Sequence, residues 1–121
     1  MKRVPTLAGL LLVLATLLYS ADATGKWRGS IDAGGETHEL NFDLKASGDT
    51  VTGAFSAGGQ PSEIKDGKIQ GDTVSFWATA EYQGQPIKLV FKGQVLENEI
   101  HFTMGLDDGS WSTDLVVKKV L

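Results

Sequence analysis

A recurring turn-and-strand phrase constrains this chain more than any other feature. Ser47-Gly-Asp-Thr-Val-Thr-Gly-Ala-Phe55 returns as Gly71-Asp-Thr-Val-Ser-Phe76 and, in degenerate form, as Glu97-Asn-Glu-Ile-His-Phe102. Each copy is a short polar turn that opens a strand. The offsets are 23 residues from Gly48 to Gly71 and 26 from Gly71 to Glu97. Each matches about two strands plus two turns, so every copy turns the chain at the same end of one antiparallel meander.

Apolar residues alternate with polar ones through most of the chain. Leu40, Phe42 and Leu44 share one parity, as do Val51 and Phe55, then Val74, Phe76 and Ala78, then Ile87, Leu89 and Phe91. Ile100, Phe102 and Met104, then Leu115 and Val117, continue the pattern. This period of two marks strands with one buried face. Eight strands are expected, near residues 25–32, 37–46, 50–56, 62–69, 73–81, 86–94, 98–105 and 111–120. Eight short strands in sequential hairpins predict an all-β, up-and-down antiparallel barrel, which leaves no exposed sheet edge. The alternative with the same meander is a two-sheet sandwich.

The connections predict where recognition would be built. At one end they are tight: Ala46 to Asp49, Gln70 to Asp72 and Leu96 to Asn98. At the other end Asp32 to Glu36, Ser56 to Pro61, Tyr82 to Pro86 and Gly105 to Ser110 read as longer, glycine-rich loops, which are the usual carriers of binding sites. The interior is expected to be full. Phe42, Phe55, Phe76, Phe91 and Phe102 all fall on the inward parity, and an eight-stranded barrel either packs its interior with side chains or holds one small ligand. Five rings favour packing, which places a site at the loop end or on the outer wall rather than in a deep apolar pocket.

The first residues read as an address. Lys2 and Arg3 precede the apolar run Leu7 to Leu18, closed by Ala21-Asp22-Ala23, the pattern of a secretory signal peptide cut after Ala23. A membrane anchor is the competing reading, but the run is short of the roughly 20 apolar residues a spanning helix needs. The expected organisation is a leader over 1–23 and a single barrel domain over 24–121, exported to the periplasm or beyond the cell. The absence of cysteine excludes disulfides, so the domain must be held by its core alone. Removing Lys2, Arg3 and Asp22 from the 11 basic and 15 acidic residues leaves 9 and 14, a net charge of −5. No basic stretch is left to track a phosphate backbone, so nucleic acid is not an expected partner, and no membrane contact is expected once the leader is removed.

Catalytic chemistry is thinly provided. There is no Cys and no Gly-x-Ser-x-Gly, and the only histidines are His38 and His101. His101 falls on the outward parity, whereas His38 shares parity with Leu40 and is expected to face the barrel mouth. Asp107 and Asp108 could join Glu36 around a hard cation, or act as an acid and base pair. Yet Asp-Asp-Gly-Ser is also an ordinary solvated turn, and its spacing matches no calcium loop. Nothing in the census calls for a cofactor or a metal ion. The aromatic residues outside the phenylalanine set carry more information. Trp77 is outward on its strand, Tyr82 sits at a loop, and Trp111 opens the last strand; such rings stack on sugars and anchor partners.

Thr24-Gly25-Lys26-Trp27, with Gly53-Ala54-Phe55 after its Gly-Asp-Thr turn, resembles the opening strands of the avidins, and Gly25-x-Trp27 alone resembles the lipocalins. The resemblance covers about thirty residues and implies a barrel with Trp27 plugging its narrow end. It does not imply biotin binding, because the later Trp-rich strands and the residues that grip the ureido ring in avidins have no counterpart here. The whole chain is similar to small exported bacterial domains that begin Thr-Gly-x-Trp-x-Gly and carry Asp-Gly-Lys-Ile-x-Gly-Asp-x-Val-Ser-Phe, here Asp66 to Phe76. Such domains occur beside secreted carbohydrate-processing enzymes.

Together these readings predict an exported module that binds rather than catalyses. The expected target is a glycan or a secreted protein, held at the loop end by Trp111, Tyr82, Asp107, Asp108, Glu36 and His38. An inhibitor of a periplasmic or secreted hydrolase is the alternative from another class. A carrier of a small hydrophobic ligand is a third reading, and it requires a real cavity among the apolar side chains.

Overall fold

The computed structural model describes residues 22–121, so the expected leader lies outside the described residues apart from Asp22 and Ala23. Among the described residues nine β-strands follow one another without a helix: β1 (Gly25–Ala33), β2 (Glu36–Ser47), β3 (Thr50–Ser56), β4 (Ser62–Glu63), β5 (Lys65–Gln70), β6 (Thr73–Tyr82), β7 (Gln85–Val95), β8 (Glu99–Leu106) and β9 (Ser112–Lys119). All pairings are antiparallel. The order β2-β1-β9-β8-β7-β6-β5-β3 closes on itself through β2 and β3, giving an eight-stranded barrel with the short β4 attached to β3. The barrel reading holds, and the sandwich is excluded.

One expected strand is broken. Residues 62–69 form two pieces, β4 and β5, interrupted at Ile64, and the β5–β6 register shifts between Lys65 and Lys68. Asp66 there takes φ 53°, a left-handed conformation that marks an irregularity rather than a regular strand. The outcome is a thin seam: a single residue pair, Thr50 with Lys68, joins β3 to β5.

Alternation places the side chains as expected. The buried set is entirely apolar, with no polar or charged side chain buried among the described residues. All five phenylalanines point inward and form one cluster. Phe42 and Phe91 each lie within 6.0 Å, centroid to centroid, of the other four rings. Gly93, on the same inward face, leaves the space that the Phe102 ring occupies. Burial of each ring contributes roughly 1.5–3 kcal/mol, which makes this cluster the centre of stability.

The three repeated turns, at 48–49, 71–72 and 96–98, all lie at one end, the closed end. Trp27 plugs it, 1% exposed, with the Lys119 ammonium 5.2 Å from its ring centroid. The indole Nε1 donates to the Ala23 carbonyl at 2.9 Å, and Ala23 itself is fully buried. Thr24 adds a second tie, its hydroxyl accepting from the Ala46 N–H at 3.0 Å. The Thr24 N–H donates to the Asp22 carboxylate, which holds that carboxyl below its usual range. A chain beginning at Thr24 lacks the acceptor for a buried indole N–H, an omission worth about 1–3 kcal/mol. Melting curves of variants beginning at Asp22 and at Thr24 should therefore differ, with the shorter one lower. Coincident curves would show that Ala23 contributes nothing.

Candidate functional site

The end opposite Trp27 is open, and its connections are shorter than the sequence predicts. Ala33 pairs with Glu36, and Tyr82 pairs with Gln85, so both segments read as long loops are two-residue hairpin turns. Gly34 and Gly35 have φ of 63° and 80°, and Gln83 and Gly84 have 53° and 77°. Two consecutive left-handed residues define the tight turn that suits the twist of a hairpin. True loops at this end are confined to 57–61 and 107–111.

The interior is not full either. The rings collect at one level of the barrel, and the inward positions between them and the open end are smaller: Ile31, Ala78, Ala80, Ile87 and Leu106. A cavity of about 480 Å³ remains there. Leu40, Phe55, Leu89 and Met104 line it from the buried core, joined by Ile31, Ala80, Ile87 and Leu106 from the strands. Asp32, Ala33, Gly34, His38, Ala57, Glu81, Tyr82 and Trp111 complete the lining towards the mouth. Its volume falls within the usual range for small-molecule sites, about 300–1,000 Å³. The expectation that five phenylalanines fill the interior is thus corrected.

Tyr82 partly roofs the cavity. A methyl group on Gly34 would sit 3.8 Å from the Tyr82 hydroxyl. Yet β6, which ends in Tyr82, lies four strands from β1 in either direction around the ring. The β1–β2 and β6–β7 hairpins therefore lean together over the mouth, and the phenol spans the gap. Tyr82 remains 52% exposed and Trp111 36% exposed, so both rings present one side to solvent. His38 lines the cavity as its parity predicts, with its Nε2 3.3 Å from the Ala33 carbonyl oxygen.

The six residues singled out in the sequence separate into two groups. Trp111, Tyr82 and His38 meet at the cavity, whereas Glu36, Asp107 and Asp108 do not line it. Asp107 lies 3.8 Å from the Lys88 ammonium, and its backbone N–H donates to the Lys88 carbonyl. Asp108 accepts from the Ser110 backbone N–H at 2.9 Å, and its contacts with Ser110 lower its carboxyl from the usual range. The Asp-Asp-Gly-Ser segment is a self-bonded turn, and no group of three or more potential metal ligands occurs among the described residues.

The other polar residues weighed in the sequence are tied up on the wall. Trp77 donates its indole N–H to Asp66 at 2.8 Å and carries the Lys88 ammonium 4.2 Å from its ring centroid. His101 pairs with Glu99 at 2.9 Å. A hollow of about 220 Å³ on the outside of β1, β2 and β3 is lined largely by outward residues such as Lys26, Arg28, Asn41 and Asp43. It is half the size of the mouth cavity and more polar in its residues. Sequence reasoning put Ile87, Leu89 and Met104 on the inward face but not around a cavity, and it did not single out Ile31, Ala80 and Leu106. The available signal was the run of small inward residues, Ala78 and Ala80, towards the open end of β6. No known protein family, curated protein or solved structure matches this chain.

Proposed function

We propose that this protein is a carrier of a small hydrophobic molecule, held in the cavity at the open end of the barrel. The cavity itself supports this reading: about 480 Å³, lined mainly by apolar side chains and partly roofed by Tyr82. Empty apolar volume of that size is a liability to a domain without disulfides, because close packing is what stabilises an interior. An occupant would replace the missing contacts. The carrier reading needs no catalytic group.

The test is a fluorescence titration with N-phenyl-1-naphthylamine, a neutral dye that brightens in apolar surroundings. Saturable brightening is expected, with a loss of at least 100-fold in affinity for Ala80→Trp, which puts an indole across the cavity. No uptake by the parent protein, or uptake unchanged in a folded Ala80→Trp, would overturn the reading. Trp111→Ala should weaken the dye about tenfold, or about 1.4 kcal/mol, while leaving the melting temperature unaltered, since Trp111 lies at the rim.

A second reading, glycan or secreted-partner recognition at the same end, is favoured by the solvent-facing sides of Tyr82 and Trp111. Intrinsic fluorescence against a polysaccharide panel, with Trp111→Ala as control, separates it from the first. Sugar stacking on the rim survives Ala80→Trp, whereas occupation of the cavity does not.

A further inference from the structure

The charge around the mouth narrows the ligand class. Asp32 and Glu81 are the charged residues among those lining the cavity, and no lysine or arginine lines it; both fall on the outward parity of their strands, which sets their carboxylates on the outer side of the rim. Asp32 is held in place at the rim by the Thr37 hydroxyl, which donates to its carboxylate at 2.7 Å. The basic residue at this end, Lys88, is directed elsewhere: its ammonium lies over the Trp77 ring on the outer wall and is countered by Asp107. Glu36, at the start of β2, and Asp108, in the turn before β9, add further negative charge at this end. A low-dielectric cup ringed by one sign of charge focuses its field at the opening, so an entering anion is opposed and an entering cation is drawn in. The aromatic faces act in the same sense, because the π-systems of Tyr82 and Trp111 attract cations.

Resting on the carrier reading, we infer that the cavity selects hydrophobic amines: an apolar body seated among Ile31, Leu89 and Met104, with an ammonium head left at the rim by the Tyr82 ring, within the field of Asp32 and Glu81. A carboxylate of the same chain length would bury the same apolar area but bring its charge into a field of the same sign. A neutral alcohol should fall between. The inference thus separates apolar burial, common to all three ligands, from head-group charge, which differs.

The experiment displaces N-phenyl-1-naphthylamine with octylamine, octan-1-ol and octanoate at pH 8, above the ordinary imidazole range, in low salt. Octylamine should compete at least tenfold better than octanoate, with the alcohol intermediate, and the gap should shrink in about 1 M salt, where the screening length falls to roughly 3 Å. In the double variant Asp32→Asn/Glu81→Gln the amine should lose its advantage while the alcohol binds as before. Octanoate competing as well as octylamine, or an amine preference that survives the double variant, would overturn the inference and leave the carrier reading intact. Failure of the dye itself to bind would remove both.

Discussion

Phe91→Ala is expected to destabilise the barrel by about 3–5 kcal/mol, the largest loss from any single truncation in this chain. The ring is fully buried and sits within 5.0–5.8 Å of all four other phenylalanine rings. Its neighbours cannot collapse into the void, because each is fixed to a different strand of a closed ring. Against a total stability of roughly 5–15 kcal/mol for a domain of this kind, that loss leaves a folded state that barely persists at 37 °C. Urea unfolding gives the test. A midpoint shift equivalent to less than about 1 kcal/mol would mean that the cluster is not the centre of stability.

Gly53→Ala should be nearly as damaging, for a backbone reason. Gly53 has φ 139°, outside the range side chains favour, and a Cβ there would overlap the Asp43 carbonyl oxygen across the β2–β3 ladder. No rotamer relieves a collision with main chain, so β2 and β3 must separate or shift register. A cost above about 2 kcal/mol follows, in contrast to the gain that a Gly-to-Ala change gives where the conformation permits it. Gly48→Ala is an instructive comparison. Its φ of 62° also disfavours a side chain, but nothing lies within 4 Å of the new methyl, so it should cost less. Equal losses for the two variants would assign the whole effect to φ and none to the close approach.

The strands and their inward faces were legible in the sequence because both follow from a period of two. Parity says which side chains enter the barrel, but not at what height. Height depends on register between strands, and that brings Phe42 opposite Phe55, and Phe76 opposite Phe91. The rings therefore gather at one level, and the small residues Ala78 and Ala80 are left near the mouth. For the same reason the cavity could not be read from composition, which counts five phenylalanines without locating them. The loop lengths misled because glycine serves equally in a long loop and in a two-residue turn. Gly34-Gly35 and Gln83-Gly84 prove to be turns only once Ala33 is seen paired with Glu36 and Tyr82 with Gln85. Of the candidate site, the aromatic residues and His38 were predictable by position, whereas Asp107 and Asp108 serve the geometry of their own turn. Ala23 was hidden for another reason, since the triplet that supplies the Trp27 partner is also the triplet that reads as a cleavage site.

The ladders around the barrel are very unequal. β6 and β7 share ten residue pairs, but β1 and β9 share only two, Trp27 with Lys119 and Arg28 with Lys118, both near the closed end. Beyond Arg28 that joint carries no further ladder pairs, and the residues on either side of it, Ile31 to Gly34 and Trp111, border the cavity. In time rather than in space, this makes the β1–β9 joint one of the places where the wall loosens first. Opening it breaks few hydrogen bonds, so amide protons of Ser30 to Asp32 that face β9 should exchange with deuterium far sooner than those of β6 and β7. If the cavity is occupied, the exchange of those same amides should slow, because an occupant packs against Ile31 and its neighbours on that side of the wall.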